Sequence, residues 1–198
     1  ITITSANNAH TNTSLQITAG TESGDTITVN GTTTFTGTTT LNAKTISLNA
    51  NITNTVTGST ATAVNVNNNT AQIQDGIDVA ATSGTVNVVA GTFDENIILN
   101  KSLTLKGAQF GVDARGRVVG SPNPAVETLV SPTTGARRPL ELQDLADGST
   151  IDGFALVGSL NSTSGAIEII SGAGTNDLQI KNNYVAVATG FTAFAMHL

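Results

Sequence analysis

Short runs of alternating apolar and polar residues recur along the first 70 residues of the chain. Apolar side chains lie two residues apart in Leu15/Ile17, Ile27/Val29 and Ile46/Leu48, with Thr, Ser, Asn or Gly around them. Alternation with a period of two is typical of β-strands that bury one face, and no segment in this part repeats its apolar positions at helical spacing. The pattern predicts strands within 15–18, 26–29, 33–36, 45–48 and 62–66.

These predicted strands are short and begin at irregular intervals, with Gly, Asn and Ser between them. A hairpin sandwich would use longer strands joined by tight two-residue turns, and Asn30-Gly31 is the one good signal of that kind in this part. Short strands at irregular spacing fit a solenoid whose turns vary in length. Residues 1–70 are therefore predicted to form β-solenoid units.

The pattern changes after residue 70. Between 71 and 81, Ile73, Ile77 and Ala80 fall on one face at helical spacing, which predicts a short helix. Residues 109–138 contain three of the four prolines and four arginines, and this composition predicts a loop insertion. Alternating apolar residues predict further strands at 85–89, 96–99 and 103–106.

A repeat follows the predicted loop. Residues 150–158 (TIDGFALVG) align with residues 179–190 (QIKNNYVAVATG), and Ile151 then matches Ile180. A further apolar run, AIEII, lies between them. This spacing fits one turn of a solenoid with several short strands, in which equivalent residues stack from one turn to the next.

The same alignment makes predictions about aromatic and asparagine positions. Phe154 matches Tyr184 after one extra residue in the turn, so the two rings are expected to stack as neighbours at equivalent positions. Asn182 and Asn183 are expected where the chain turns. Asparagines at a recurring corner can form a hydrogen-bonded ladder, and these four residues are therefore expected to have structural roles.

The segment from Ile73 to Ala108 resembles the opening of pectin-lyase-like right-handed β-helix domains, in which a capping helix precedes a strand, a GT-aromatic-E-N turn and a K-S-L-T-L-x-G strand. IDGF at 151–154 and IKNN at 180–183 resemble the repeating turns of the same class. Residues 31–53 (GTTTFTGTTTLNAKTISLNANIT) are similar to filamentous-haemagglutinin-type adhesin repeats. The residues that carry the first resemblance are Gly91, Thr92, Phe93, Glu95, Asn96, Lys101–Leu105 and Gly107.

The two resemblances imply a fold and a location. They imply a module of a large bacterial surface or secreted protein, and hence an extracellular or cell-surface location. Neither is specific for an activity, because one fold can serve many functions.

Charge and composition exclude several classes of function. Eight Lys and Arg against fourteen Asp and Glu give a net charge of −6, so a nucleic-acid partner lacks its basic footprint. The sequence has no run of eighteen apolar residues that would indicate a membrane span. It contains no Cys, which excludes disulfides and thiolate metal sites. Because the chain begins with Ile1, it is interpreted as a piece of a longer protein.

Candidate catalytic groups are scattered. A glycosidase needs two carboxylates across a cleft, but the acidic residues here are interpreted as a solvated face. The adjacent Asp pair, G-H-G and R-I-K motifs of polygalacturonases are absent, and no calcium-binding motif occurs. The chain is therefore predicted not to be an enzyme and to hold no cofactor or metal. The groups considered were Asp75, Asp78, Glu141, Asp144, Asp147, His10 and His197.

Threonine pairs suggest ice binding as a further alternative function. Thr26/Thr28, Thr32/Thr34 and Thr38/Thr40 resemble the arrays of ice-binding solenoids, but a working ice face needs such pairs at one fixed period. Threonine on exposed strands is the simpler interpretation.

The sequence as a whole predicts an all-β chain: a right-handed parallel β-helix (solenoid), with a short helix near 71–81 and a loop insertion near 109–138. Two domains are predicted, 1–70 and 71–198, with the option that they form one continuous β-helix. The predicted role is a structural or adhesive segment that acts as a rigid stalk or a contact surface for glycans or cells. Glycans, other surface components, neighbouring β-helix modules or a second copy are the candidate partners. The contact residues are expected in the loop, at Arg115, Arg117, Arg137 and Arg138. Fragments of polysaccharide-cleaving enzymes are the alternative.

Overall fold

The computed structural model describes residues 1–4, 6–8, 15–35, 37–117, 121–134, 138–143, 146–158, 166–169, 177–187 and 196–197, without side chains at 6–8, 15, 35, 196 and 197. The described part is mostly β-strand arranged in parallel sheets, with one short helix. The all-β prediction is confirmed at this level. The chain divides into two compact units, Ile1–Asn87 and Val88–Leu198.

The first unit contains ten strands and the helix in its described residues. Its strands lie in the orders β1-β4-β7-β9-β10, β2-β5 and β3-β6-β8. The pairs from β1 to β9 are parallel, as are those in the other two sheets. The elements are β1 (Thr2–Ile3), β2 (Ala6–Asn8), β3 (Leu15–Gly20), β4 (Thr26–Val29), β5 (Thr33–Phe35), β6 (Thr39–Ala43), β7 (Thr45–Leu48), β8 (Val56–Thr57), β9 (Ala61–Val66), α1 (Ile73–Val79) and β10 (Ala80–Val88).

Stacked aliphatic side chains form the core of the first unit. Ile27 pairs with Ile46, and Ile46 pairs with Val64 on the next strand. All three side chains are fully buried, because alternate residues of a strand point to opposite faces and these share the inner one. The bounds predicted at 26–29 and 45–48 match β4 and β7.

The helix predicted over 71–81 is confirmed, with its bounds at Ile73–Val79. Gly76 lies at the centre of its buried face. A Cβ there would lie 3.0 Å from the Val66 side chain and 3.1 Å from that of Val86. Glycine therefore lets the helix approach the strands closely, although it lowers helix propensity.

The second unit contains eleven strands in its described residues, and they form three parallel sheets with the orders β13-β16-β19, β11-β14-β17-β20 and β12-β15-β18-β21. The chain visits the three sheets in turn, so each group of strands lies beside the group before it. The elements are β11 (Gly91–Phe93), β12 (Ile97–Leu99), β13 (Thr104–Lys106), β14 (Thr128–Val130), β15 (Leu140–Leu142), β16 (Thr150–Asp152), β17 (Phe154–Gly158), β18 (Ile167–Ile169), β19 (Gln179–Lys181), β20 (Tyr184–Val187) and β21 (Met196–His197).

The register of these strands aligns apolar residues. Ile97 pairs with Leu140 and Leu140 pairs with Ile167, and all three side chains are fully buried. The predicted match of Ile151 with Ile180 is confirmed, because the two are Cα partners on β16 and β19. The repeat seen in the sequence is therefore one step from strand to neighbouring strand.

The predicted stacking of Phe154 on Tyr184 is wrong. Tyr184 pairs with Ala155, and Phe154 pairs with Thr128 on its other side. A register shift of one residue places a side chain on the opposite face of the sheet. Phe154 is accordingly fully buried, whereas Tyr184 is half-buried on the other face.

The loop insertion predicted over 109–138 is also corrected. Strand β14 interrupts it at Thr128–Val130, so the described loop ends at Glu127. The strand begins with a buried polar residue, which sequence patterning does not mark as core. The Thr128 hydroxyl donates to the carbonyl of Val89 at 2.8 Å and accepts from the amide of Ala108 at 2.8 Å.

Candidate contact surface on the 107–127 loop

The loop that follows β13 is fixed to the turn between β16 and β17 by its backbone. The Gly107 amide donates to the Asp152 carbonyl at 2.8 Å, and the Gln109 amide donates to the Gly153 carbonyl at 3.2 Å. The Gly111 amide donates to the Asp152 Oδ1 at 3.0 Å. The Asp152 carboxylate is buried, so the bond from Gly111 satisfies an acceptor that water does not reach.

A glycine permits this close contact. Gly153 has a φ of +84°, and a Cβ built on it would overlap the backbone of Gln109 and Phe110. Only glycine tolerates both the left-handed conformation and the missing space. The turn and the loop therefore fit together because of this residue.

Arg117 fixes the other half of the loop. Its Nη1 donates to the Asn182 carbonyl at 2.8 Å, and its Nη2 donates to the Phe154 carbonyl at 3.1 Å. Its Nε lies 2.9 Å from Glu127 Oε1, and both side chains are at least nine-tenths buried. The prediction that Arg117 is a contact residue is thus wrong, because its guanidinium faces inward and binds the protein itself.

Asn182 and Asn183 lie at a turn, as predicted, between β19 and β20. Asn182 has a φ of +52°, and its amide donates to Asp152 Oδ1 at 3.0 Å. The Asn183 Oδ1 accepts from the Phe154 amide at 2.9 Å, and its Nδ2 donates to the Ile151 carbonyl at 2.9 Å. These two asparagines bind the neighbouring turn rather than other asparagines.

The ladder expected at Asn182 and Asn183 is therefore absent there, and an asparagine ladder forms instead in the first unit. Asn49 Nδ2 donates to Asn30 Oδ1 at 2.6 Å, and Asn67 Nδ2 donates to Asn49 Oδ1 at 2.9 Å. The three residues immediately follow β4, β7 and β9. A ladder therefore forms where equivalent positions on paired strands all carry asparagine.

The outer side of the 107–127 loop is apolar and basic. Phe110, Val112 and Val126 are each about half exposed, at 48%, 47% and 50%. The Lys106 ammonium lies 4.4 Å from the centroid of the Phe110 ring, a cation–π arrangement. The Gln109 side chain donates to the Val126 carbonyl at 2.6 Å, which brings Val126 beside the 109–112 turn.

Arg115 is the predicted contact residue that points outward. Its side chain is 90% exposed and forms a bidentate ion pair with Asp113. Hydrogen bonds from the Arg115 side chain and amide lower the pKa of Asp113 to about 2, so the pair is charged at neutral pH.

Arg138 lies in a separate cluster. Its Nη1 is 3.3 Å from Glu141 Oε2 and also contacts Glu168 Oε2. Glu141 and Glu168 are Cα partners on β15 and β18, so two carboxylates share one guanidinium. Glu168 was not considered from the sequence, although both glutamates stand between two aliphatic residues, in LEL and IEI. Arg137 lies outside the described residues.

The remaining candidate groups do not form a site among the described residues. Asp75 is buried on α1, Asp78 accepts from Gln74 at 3.0 Å, and Asp147 is exposed. The His10 and Asp144 positions and the His197 side chain lie outside the described part of the chain.

Within the described residues, no three His, Asp or Glu side chains are arranged to hold a metal ion, and no helix is long and apolar enough to cross a membrane. Comparison with protein-family models, curated proteins and solved structures gives no match.

Proposed function

We propose that this chain is a right-handed parallel β-helix segment of a bacterial cell-surface or secreted protein. Its role is structural or adhesive: it is a rigid stalk that presents a contact surface. The observation that best supports this role is the in-register pairing of successive strand groups in the second unit. Parallel strands joined by crossovers are almost always right-handed, which supports the same hand here.

A stalk needs stiffness along its length. Each parallel strand pair contributes backbone hydrogen bonds, and the buried aliphatic rows lie between sheets. The fixed 107–127 loop adds side-chain bonds from one strand group to the next, through Arg117 and Asp152. Such a chain offers few unpaired backbone segments to a protease, which suits a protein exposed outside the cell.

Proteolysis tests the stalk. Native chain and chain unfolded in urea are treated with the same amount of a broad-specificity protease that remains active in urea. We expect the native chain to survive at least a hundredfold longer, with cleavage confined to loops. Comparable cleavage rates, or rapid cleavage inside one of the strands from β12 to β18, would contradict the proposal.

Binding to a glycan panel, with and without calcium, tests the adhesive role. Reproducible binding to a glycan would support adhesion through carbohydrate. Absence of binding across the panel would favour a passive stalk or a partner of another class.

Polysaccharide cleavage is the second candidate, favoured by the pairing of Glu141 with Glu168. A retaining glycosidase places two carboxylates about 5 Å apart and keeps one protonated. Arg138 contacts both carboxylates here, so each is held in an ion pair with the same guanidinium. Release of new reducing ends that is abolished in Glu168→Gln would establish this activity; we expect none.

Ice binding gains less support from the strands. Thr26 and Thr28 on β4 pair with Thr45 and Ser47 on β7, but the next strand, β9, continues these rows with Ala and Asn. An ice face needs hydroxyl rows that persist at a fixed period. Thermal hysteresis in a solution of the intact chain would be required to support ice binding.

A further inference from the structure

The outer side of the 107–127 loop groups exposed apolar side chains. Five large apolar side chains are exposed among the described residues, and Phe110, Val112 and Val126 are three of them. Isolated exposed apolar residues are ordinary, whereas several grouped on one rigid loop indicate an interaction surface. We call this group, together with the cations around it, the loop face. It consists of Lys106, Phe110, Val112, Arg115, Val126 and Lys181.

The loop face is basic although the chain is acidic. Lys106 and Lys181 occupy one row of the sheet, on either side of the buried Asp152. Arg115 adds a third cation, which forms an ion pair with the exposed Asp113, so the three cations exceed the two nearby carboxylates, Asp113 and Asp152, by one. Because the whole chain has a net charge of −6, this local excess of cations is a distinctive feature.

The loop face is also preorganised, because bonds within the protein hold its conformation. Arg117, Gly111 and Gln109 hold the loop through bonds to Asn182, Phe154, Asp152 and Gly153, as described above. A preorganised loop loses little conformational entropy on binding. Its half-exposed ring and valines can therefore serve as a binding centre with a basic rim.

We propose that the loop face binds a polypeptide segment that carries an aliphatic or aromatic anchor flanked by Asp or Glu. The anchor would cover Phe110, Val112 and Val126, and the carboxylates would meet Lys106 and Lys181. The methyl groups of two valines offer no hydrogen bonds, so the hydroxyls of a sugar placed there would lose water without compensation. This favours a polypeptide over a glycan.

A second copy of this chain fits less well. The other exposed large apolar residues in the described part are Ile1 and Val89, and several carboxylates are already committed to Arg115, Arg117 or Arg138. Among the described residues, neither Ile1 nor Val89 is flanked by Asp or Glu in the sequence, so the proposed partner is a different polypeptide. This inference rests on the contact role proposed above. The stalk is tested independently by proteolysis, so the two proposals can fail separately.

The experiment is selection of binding peptides by the intact 198-residue chain. A phage-displayed library of random 12-residue peptides is panned against the chain, and the enriched peptides are synthesised and their Kd values measured. We expect an enriched pattern of Leu, Ile or Phe between acidic residues. Phe110→Ser should weaken binding at least tenfold, and Lys181→Glu several-fold with a smaller salt dependence.

Val89→Ser is the matched control, because Val89 is also exposed but lies outside the loop face. It should leave the Kd unchanged, and circular dichroism should show that every variant remains folded. Four outcomes would overturn the proposal: no enriched pattern, enrichment of basic peptides, equal binding by Phe110→Ser, or displacement of the peptides by an oligogalacturonate at comparable concentration. Dimerisation that Phe110→Ser abolishes would assign the face to a second copy and would equally overturn it.

Discussion

At the scale of single residues, the structure depends on a few positions where only one side chain fits. Gly153 is the clearest of these, because the 107–127 loop packs directly on its backbone. Gly116 also has a positive φ, of +75°, but no atom lies within 4 Å of the Cβ position there. Substitutions at the two glycines can therefore separate the energetic cost of backbone strain from that of lost close packing.

We predict that Gly153→Ala lowers the free energy of unfolding by about 3 kcal/mol, and Gly116→Ala by about 1 kcal/mol. The smaller loss is the strain of a left-handed alanine alone, and the difference is the displaced loop. Urea unfolding of both variants measures the two values. Equal losses would mean that the loop does not pack on Gly153.

A second residue-scale prediction concerns pH. Hydrogen bonds from the Thr133 hydroxyl and the Thr133 amide, both 2.6 Å long, lower the pKa of Asp94. A lowered pKa in the folded state adds stability above the unfolded pKa, near ~4, and this stability is lost as pH falls through the folded value. The carboxylate is almost fully exposed, so the contribution is less than about 1 kcal/mol.

We therefore expect Asp94→Ala to be slightly less stable than the parent chain at pH 7, and this difference to be smaller at an acidic pH, where more of the Asp94 carboxyl is protonated. Unfolding in urea at the two pH values gives the comparison. A difference that persists or grows at low pH would show that the Asp94 charge does not bind Thr133 in solution.

At the scale of elements, paired strands carry side-chain ladders as well as backbone bonds. Asn49 takes part in two ladder bonds, to Asn30 and from Asn67, whereas Asn67 takes part in one of them. We predict a loss of about 1 kcal/mol for Asn49→Ala and about half of that for Asn67→Ala, since the bonds are exposed. Thermal unfolding of both variants gives the ratio; a larger loss for Asn67→Ala would contradict the ladder.

The pairing of β15 with β18 makes the stability of this sheet depend on Arg138. Without Arg138, Glu141 and Glu168 would face each other on adjacent strands without a cation. Like charges directly opposite destabilise a sheet. We predict a loss of about 2 kcal/mol for Arg138→Met.

Adding Glu168→Gln to that variant should recover at least half of the loss, because one of the two charges is removed. The same substitution in the parent chain breaks an ion pair and should be destabilising. Denaturant unfolding of the three variants completes the cycle. A double variant that is less stable than Arg138→Met would show that the two carboxylates do not repel each other.

Sequence patterning predicted those elements in which aliphatic residues alternate with polar ones. It found β4 and β7 with their bounds and the existence of α1. It missed β6 and β14, which place Thr39 and Thr128 in the core, because a buried hydroxyl has no signature in hydropathy.

The candidate site was predicted only in part, for a related reason. Arg115 and Arg117 are two residues apart in sequence and look alike, yet one is exposed and the other is buried against Glu127. Their difference depends on where the loop meets the turns at Asn182 and Phe154. These contacts join segments far apart in sequence, so local pattern does not show which arginine turns inward.

At the scale of the whole molecule, the proposed β-helix requires successive strand groups to lie side by side, parallel and in register. Engineered disulfides test this requirement directly, because the chain contains no cysteine of its own. Thr150 and Gln179 are Cα partners on β16 and β19, with a strand spacing of about 4.8 Å that a disulfide can span. Thr150 and Lys181 are two residues out of register, about 8 Å apart, which exceeds that span.

The decisive measurement is therefore the extent of cross-linking after mild oxidation in two double variants. Thr150→Cys/Gln179→Cys should form an intramolecular disulfide nearly completely and become harder to unfold. Thr150→Cys/Lys181→Cys, the matched control, should remain largely reduced. Preferential oxidation of the control pair, or no disulfide in either variant, would contradict the in-register parallel stacking on which the proposed β-helix rests.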